Sequence, residues 1–332
     1  MTQTITRNKV IEKIGNTPLV ELNSFSTDSV RLFAKLEWHN PFGSVKDRAA
    51  FWMIKDAESK GRLKKEKSII IEPTSGNTGI ALTGIASSLG YKVEIVIPEK
   101  VSAETKTILK QLGAHLHETS DDLCPRVGAG TDQSIALAKA ISTPKPDIYY
   151  MPNQYENDAN FTAHYESTGP ELWYQTNEKI THFLTGCGTG GTITGTGVYL
   201  KEKNPNVKVV AIQAQKNHLL QGLRNFEESS MPDLFKRRER VVDEWFTATN
   251  NDSFTMVKEL AAKENILVGP SSGSVMSAML HTRNKIDKGI IVGIFADDGR
   301  KFQSLYQEQN IFTNKEYTKA LSNAKYLSNL AY

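Results

Sequence analysis

The chain of 332 residues contains two cysteines, Cys124 and Cys187, too few for a disulfide framework or a zinc site built mainly of thiolates. Its longest uninterrupted apolar run, Gly289 to Ala296, falls far short of the roughly 20 residues a bilayer span requires. The start MTQTITRNKV has no apolar core of the kind a secretory signal carries. Charge of one sign is not in excess, since 40 Lys and Arg against 37 Asp and Glu leave a net charge of +3. Apart from Lys236-Arg237-Arg238-Glu239-Arg240 the basic residues are scattered, so neither nucleic acid nor a membrane is an expected partner. No segment is low-complexity and no repeat at solenoid periods stands out. What remains is a soluble globular protein, expected in the cytoplasm.

The length is about twice the usual domain of roughly 150 residues, which suggests two lobes or one large α/β unit. Short β-branched runs bounded by Gly, Pro or Asn alternate with segments of helical period, the pattern of parallel sheets covered by helices. The fold class is α/β. Strands are expected at Pro18–Leu22, Arg31–Glu37, Ser68–Glu72, Lys92–Ile97, Ala114–His117, Ile148–Met151, His182–Thr185, Val207–Gln213 and Ile290–Phe295. Helices are expected at Lys46–Lys60, Thr78–Leu89, Ala103–Leu112, Asp132–Ala140, Ala163–Gln175, Gly191–Lys203, Phe254–Glu264 and Ser272–Ile286. A seam falls around residues 141–153, where Ser-Thr-Pro-Lys-Pro interrupts the pattern, dividing the chain into 1–150 and 151–332. Residues 214–252 read as irregular and polar, a candidate functional loop.

Four strings carry chemistry. Asn40-Pro41-Phe42-Gly43-Ser44-Val45-Lys46-Asp47-Arg48 places Lys46 where a loop enters a helix. There the dipole opposes an ammonium, so the pKa should fall and free a nucleophilic amine. The plain alternative is a surface lysine beside Asp47. Glu72-Pro73-Thr74-Ser75-Gly76-Asn77-Thr78-Gly79, between a strand and a helix, offers backbone N–H groups and hydroxyls to a carboxylate or phosphate. An ordinary capped βα turn would need only one such residue. Thr185-Gly186-Cys187-Gly188-Thr189-Gly190-Gly191-Thr192 lets the backbone curl around a phosphate at a helix start. It also satisfies G-x-G-x-x-G, so a nicotinamide-dependent oxidoreductase competes. The next strand ends in Gln213 and Gln215 rather than the ribose-binding acid, which favours a loop for one phosphate group. Cys187 within it reads as a small residue in a tight turn, with a reactive thiol as the alternative. Gly269-Pro270-Ser271-Ser272-Gly273-Ser274 is a further hydroxyl-rich turn, or simply a helix cap.

A lysine, an anion turn, a phosphate cradle and a hydroxyl turn together suit a phosphorylated aldehyde, pyridoxal 5'-phosphate. In order and spacing these strings resemble the fold-type II pyridoxal-phosphate enzymes, and within them the cysteine synthase and cystathionine β-synthase family. The likeness runs from Ile14-Gly15-Asn16-Thr17-Pro18-Leu19-Val20 to Asp297-Asp298-Gly299-Arg300. It implies two lobes, each with a mostly parallel sheet: a smaller, mobile lobe in 1–150, whose strands around 18–37 join the larger sheet, and a larger lobe in 151–332. It further implies that Lys46 forms the internal aldimine and moves the α-proton, and that Asn77 bonds the cofactor's 3′-oxygen. Gly188, Thr189, Gly190, Gly191 and Thr192 would bind the phosphate, and Ser271 would face the ring nitrogen. Thr74, Ser75, Thr78 and Gln154 would grip the substrate carboxylate. A serine hydroxyl, unlike an aspartate, does not enforce a protonated ring, which suits β-elimination.

The implied reaction is β-replacement: an activated L-serine loses its β-substituent to give an α-aminoacrylate, and a sulfur nucleophile adds to yield L-cysteine or a relative. Leu219-Leu220-Gln221-Gly222-Leu223-Arg224-Asn225-Phe226 resembles the Leu-Arg-Asn segment of O-phosphoserine-dependent cysteine synthases, whose arginine contacts the donor phosphate. Arg224 is thus the expected donor-phosphate ligand, against the alternative of a surface arginine in a polar loop. O-acetylserine, and serine with homocysteine, remain open as substrates. Sulfide or a carrier-protein thiocarboxylate is the expected sulfur donor, a homodimer the expected assembly, and no metal is expected. The tail from about Lys315 to Tyr332 is expected either to lid the cleft or to pack on the large lobe.

Overall fold

The computed structural model describes residues 10–74, 76–99, 101–120 and 133–327. Among the described residues ten strands form two sheets. They are β1 (Leu19–Glu21), β2 (Val30–Leu36), β3 (Ile69–Pro73), β4 (Lys92–Pro98), β5 (His115–Thr119), β6 (Tyr149–Tyr150), β7 (His182–Gly186), β8 (Lys208–Ala214), β9 (Glu244–Ala248) and β10 (Gly289–Phe295). The larger sheet runs β1-β2-β10-β7-β8-β9 and the smaller β5-β4-β3-β6. Every pairing is parallel except β1 with β2.

The central strands read as near-continuous apolar runs because helices cover both faces of each sheet. In β10, GIIVGIF, all residues but Ile290 are buried. Gly293 has no room for a Cβ, which would lie 2.4 Å from Met279 Sδ, so the helix Pro270–Arg283 packs close against this strand. β9, EWFTA, was not expected. It is an edge strand with Trp245 exposed, and it shortens the irregular stretch expected over 214–252, which also holds a helical turn at Asp233–Lys236.

One helix expected at Ala163–Gln175 is instead three pieces: Asp158–Ala163, a π-helical turn His164–Thr168, and Gly169–Gln175. Asn157 caps the first, its side chain accepting from Ala159 N–H. The described part of the tail packs on the larger sheet's side. The helix Asn314–Asn323 opens with a Thr313/Glu316 capping box, Tyr317 is buried, and Tyr326 O accepts from Trp38 Nε1. Residues 328–332, where a lid would end, lie outside the described residues. No helix among those described is long and apolar enough to cross a membrane.

Candidate active site

A cleft opens at the carboxyl ends of β3, β7, β8 and β10, the place where open parallel sheets bind ligands. Lys46, Thr74, Asn77, Thr78, Gln154, Gly188, Thr189, Gly190, Thr192, Arg224 and Ser271 all line it. Gly191 is the first residue of the helix behind the glycine loop that follows β7, and Ser75 lies outside the described residues.

The loop after β7 is built by leaving side chains out. A Cβ on Gly188 would sit 2.6 Å from Gly222 O, one on Gly190 2.5 Å from Phe235 Cβ, and one on Gly191 2.1 Å from Asn160 Oδ1. Gly190 also has φ +89°, a conformation only glycine adopts readily. The first intrahelical bond runs from Thr194 N–H to Gly190 O at 3.0 Å, so the preceding amides have no helical acceptor and suit an anion. Cys187 is buried with its thiol pushed up to about 12 by desolvation; it fills a turn and offers no thiolate.

Two residues that sequence reasoning missed hold the loop's hydroxyls. Asn160 Nδ2 donates to Thr189 Oγ1 at 3.0 Å and to Gln154 O at 2.9 Å. His164 pairs through Nε2 with Thr192 Oγ1 at 3.2 Å and through Nδ1 with Thr168 Oγ1 at 2.9 Å. Burial, then the charges of Arg48 and Lys46, hold His164 well below the usual imidazole range, so it is neutral.

The opposite wall follows β3. Glu72 is fully buried and its two carboxylate oxygens accept the backbone N–H groups of Asn153 (2.9 Å) and Gln154 (3.1 Å). Desolvation pushes its pKa up to about 7 against those two bonds. Thr78 Oγ1 donates to Gln154 Oε1 at 2.7 Å. Gln154's carbonyl is thereby engaged, and its NH2 is the group it can offer a carboxylate.

Lys46 opens the helix Lys46–Ser59. Its position is fixed by Val45 N–H donating to Ala296 O (3.0 Å) and by a bridge between Ser44 and Asp297. The Lys46 pKa is lowered, chiefly by burial, with the Asp297 carboxylate opposing. Phe42, in the same loop, fills the notch left by Gly84, where a Cβ would meet its ring at 2.1 Å. Across the site Asn77 Nδ2 donates to Asp297 Oδ2 (2.7 Å), and Lys301 Nζ donates to Asn77 Oδ1. Ser271 lies in the first turn of the helix Pro270–Arg283, 8% exposed. Arg224 is also 8% exposed; its guanidinium lies 4.5 Å over the Tyr155 ring and donates to Ser230 O at 3.2 Å. Among the described residues no carboxylate pairs with it, and none lines the cleft.

A glycine cradle at a helix start, hydroxyl and amide donors, and a lysine whose neutral form burial favours make up a donor set that fits pyridoxal phosphate. Gly188–Thr192 would hold its phosphate and Lys46 its aldehyde carbon.

The comparisons agree. Residues 10–297 match the family model described as pyridoxal-phosphate dependent enzyme. A cysteine synthase of Aquifex aeolicus is 41% identical over 305 residues, covering 89% of this chain and 90% of that protein. The crystal structure of a hydrogen sulfide-producing enzyme from Fusobacterium nucleatum superposes with TM-score 0.82 at 35% identity, over 89% of this chain and 99% of that one. That of an O-acetylserine dependent cystathionine beta-synthase from Helicobacter pylori does so with TM-score 0.79 at 30% identity, over 89% and 96%. Fold, cleft and relatives together place this chain in the family of pyridoxal-phosphate-dependent enzymes of fold type II, among the cysteine synthases and cystathionine β-synthases.

Proposed function

We propose that the protein catalyses β-replacement on an activated L-serine, with O-phosphoserine as the preferred donor and sulfide or a carrier-protein thiocarboxylate as the sulfur source, giving L-cysteine, and that it acts as a homodimer. Bound in the cleft, pyridoxal phosphate supplies the electron sink that lets an amino acid give up its α-proton. Lys46 holds the cofactor and then takes that proton, a role its burial-lowered pKa supports. Thr74, Ser75, Thr78 and Gln154 would orient the substrate through its carboxylate, and Asn77 would donate to the cofactor's ring oxygen. Ser271 would offer the ring nitrogen a hydroxyl. The turn after β3 and the Gln154 loop move with the smaller sheet to close over substrate and exclude water.

The donor choice rests on Arg224. It is a cation on the cleft wall, unpaired with any carboxylate among the described residues and joined to the phosphate loop by its N–H bond to Cys187 O (3.0 Å). A donor phosphate brings about two negative charges, which a planar guanidinium meets with two parallel bonds. Arg224→Ala is expected to lower kcat/KM for O-phosphoserine by about 30- to 150-fold, the loss of roughly 2–3 kcal/mol, and to leave O-acetylserine nearly unchanged. Steady-state kinetics with both donors decides it. The likeness to an O-acetylserine dependent cystathionine beta-synthase favours a second reading, O-acetylserine with homocysteine; equal losses for both donors would move the reading to the O-acetylserine or serine-dependent branch, and product identification with homocysteine would then decide the nucleophile.

A further inference from the structure

Asn77 stands on the cleft wall with its amide held at both ends by groups of opposite character. Nδ2 donates to Asp297 Oδ2 at 2.7 Å, and Oδ1 accepts from the Lys301 ammonium. A carboxylate only accepts and an ammonium only donates. Turning the amide over would set its oxygen against the carboxylate and its NH2 against the ammonium, exchanging two charge-assisted bonds for two repulsions. Asp297 and Lys301 are 3.4 Å apart and only 2% and 7% exposed, so little water screens that penalty. Asp297 engages one of the two Nδ2 hydrogens; the other remains to be donated.

We propose that Asp297 and Lys301 are positioning residues that fix the Asn77 amide so that it meets the cofactor's ring oxygen only as a donor. This rests on the reading that gives Asn77 to that oxygen. A donor there favours the ionised oxygen, whereas a flipped amide would present its carbonyl and favour the protonated one. Two residues that need not touch the cofactor thereby set its charge. Both belong to the segment that follows β10, while Asn77 follows β3 of the smaller sheet.

The test is the absorption spectrum of the purified holoenzyme, in which the ratio of the two cofactor bands reports protonation of the ring oxygen. Lys301→Met should shift the ratio toward the protonated form and speed cofactor loss on dialysis about 3- to 10-fold. Lys301→Arg, which still donates, should restore both. Asp297→Asn removes the other half of the lock and should move the bands the same way, which keeps the test available if methionine at 301 weakens folding. In an Asn77→Ala background Lys301→Met should add nothing, as a double-mutant cycle requires of residues acting through one group. An unchanged ratio in both Lys301→Met and Asp297→Asn, an arginine variant that behaves like the methionine one, or full additivity with Asn77→Ala would overturn the lock. If Asn77→Ala itself left the bands unmoved, the assignment of Asn77 to the ring oxygen would fall first and the lock with it; the donor kinetics of Arg224→Ala are read independently.

Discussion

At Gly188, Gly190 and Gly191 one added carbon would collide with Gly222 O, Phe235 Cβ or Asn160 Oδ1, whereas across the cleft Thr74, Asn77 and Thr78 line the wall with side chains. Its Gly76 has more latitude: a Cβ there would come within 3.1 Å of Gln221 Nε2 alone. The glycine wall is shaped by backbone and buried neighbours, as would befit a phosphate that stays bound. The wall that faces it hangs on replaceable contacts, Thr78 to Gln154 and Glu72 to two amides, as would befit a substrate that arrives and leaves each turnover.

The sharpest way to break this contrast is a methyl group on each wall. Gly190→Ala combines a left-handed backbone cost of about 1–2 kcal/mol with overpacking of about 1–3 kcal/mol. It should purify with little cofactor, while Gly76→Ala retains it; cofactor content by absorbance after alkaline release checks both. Equal losses would erase the distinction.

A smaller effect concerns Glu72. Its folded pKa of about 7 lies above the ordinary 4.5 because burial penalises the carboxylate, so the folded protein keeps a proton that the unfolded chain releases. Stability should therefore be fully present below about pH 4.5 and fall as pH rises to about 7, by about 1–3 kcal/mol. Buried Asp47, pushed up to about 8, contributes in the same direction. Glu72→Gln should flatten only the Glu72 share, which urea midpoints at pH 5 and pH 7.5 for both proteins would isolate.

The smallest effect is expected from Thr78→Val, which removes one neutral bond worth about 0.5–1.5 kcal/mol. KM for the donor should rise about 2- to 10-fold with cofactor content unchanged, and a fall in cofactor content would show that the two walls are not separable.

Most strands and the first turns of the functional helices were legible because each couples an apolar run to a Gly, Pro or hydroxyl boundary; Gly191–Lys203 has the expected limits. β9 was not, since an exposed edge strand with Glu244 and Trp245 outward lacks the alternation that marks a buried face. The π turn at His164–Thr168 was hidden because its cause is tertiary: Gly195 brings its helix so close that a Cβ would touch Phe161 O at 2.4 Å. The helix Asn314–Asn323 carries a local signal in Thr313 and Glu316, a capping box. Within the site, the expected residues that line the cleft sit inside contiguous motifs. Asn160, His164 and Lys301 were not legible, because each matters through a partner far along the chain that no local pattern names.

The pairing of β2 with β10 joins strands from near the two ends of the chain, and the bridge from Ser44 to Asp297, with Val45 bonded to Ala296, hangs on the last of them. During synthesis the smaller sheet, complete by Tyr150, can form early, but the larger one cannot close until β10 emerges. Lys46 is made long before the strand that seats it. A nascent chain that has not yet delivered β10 therefore cannot hold the Lys46 loop in place, and this lysine of the cleft wall is seated only once the larger sheet has closed.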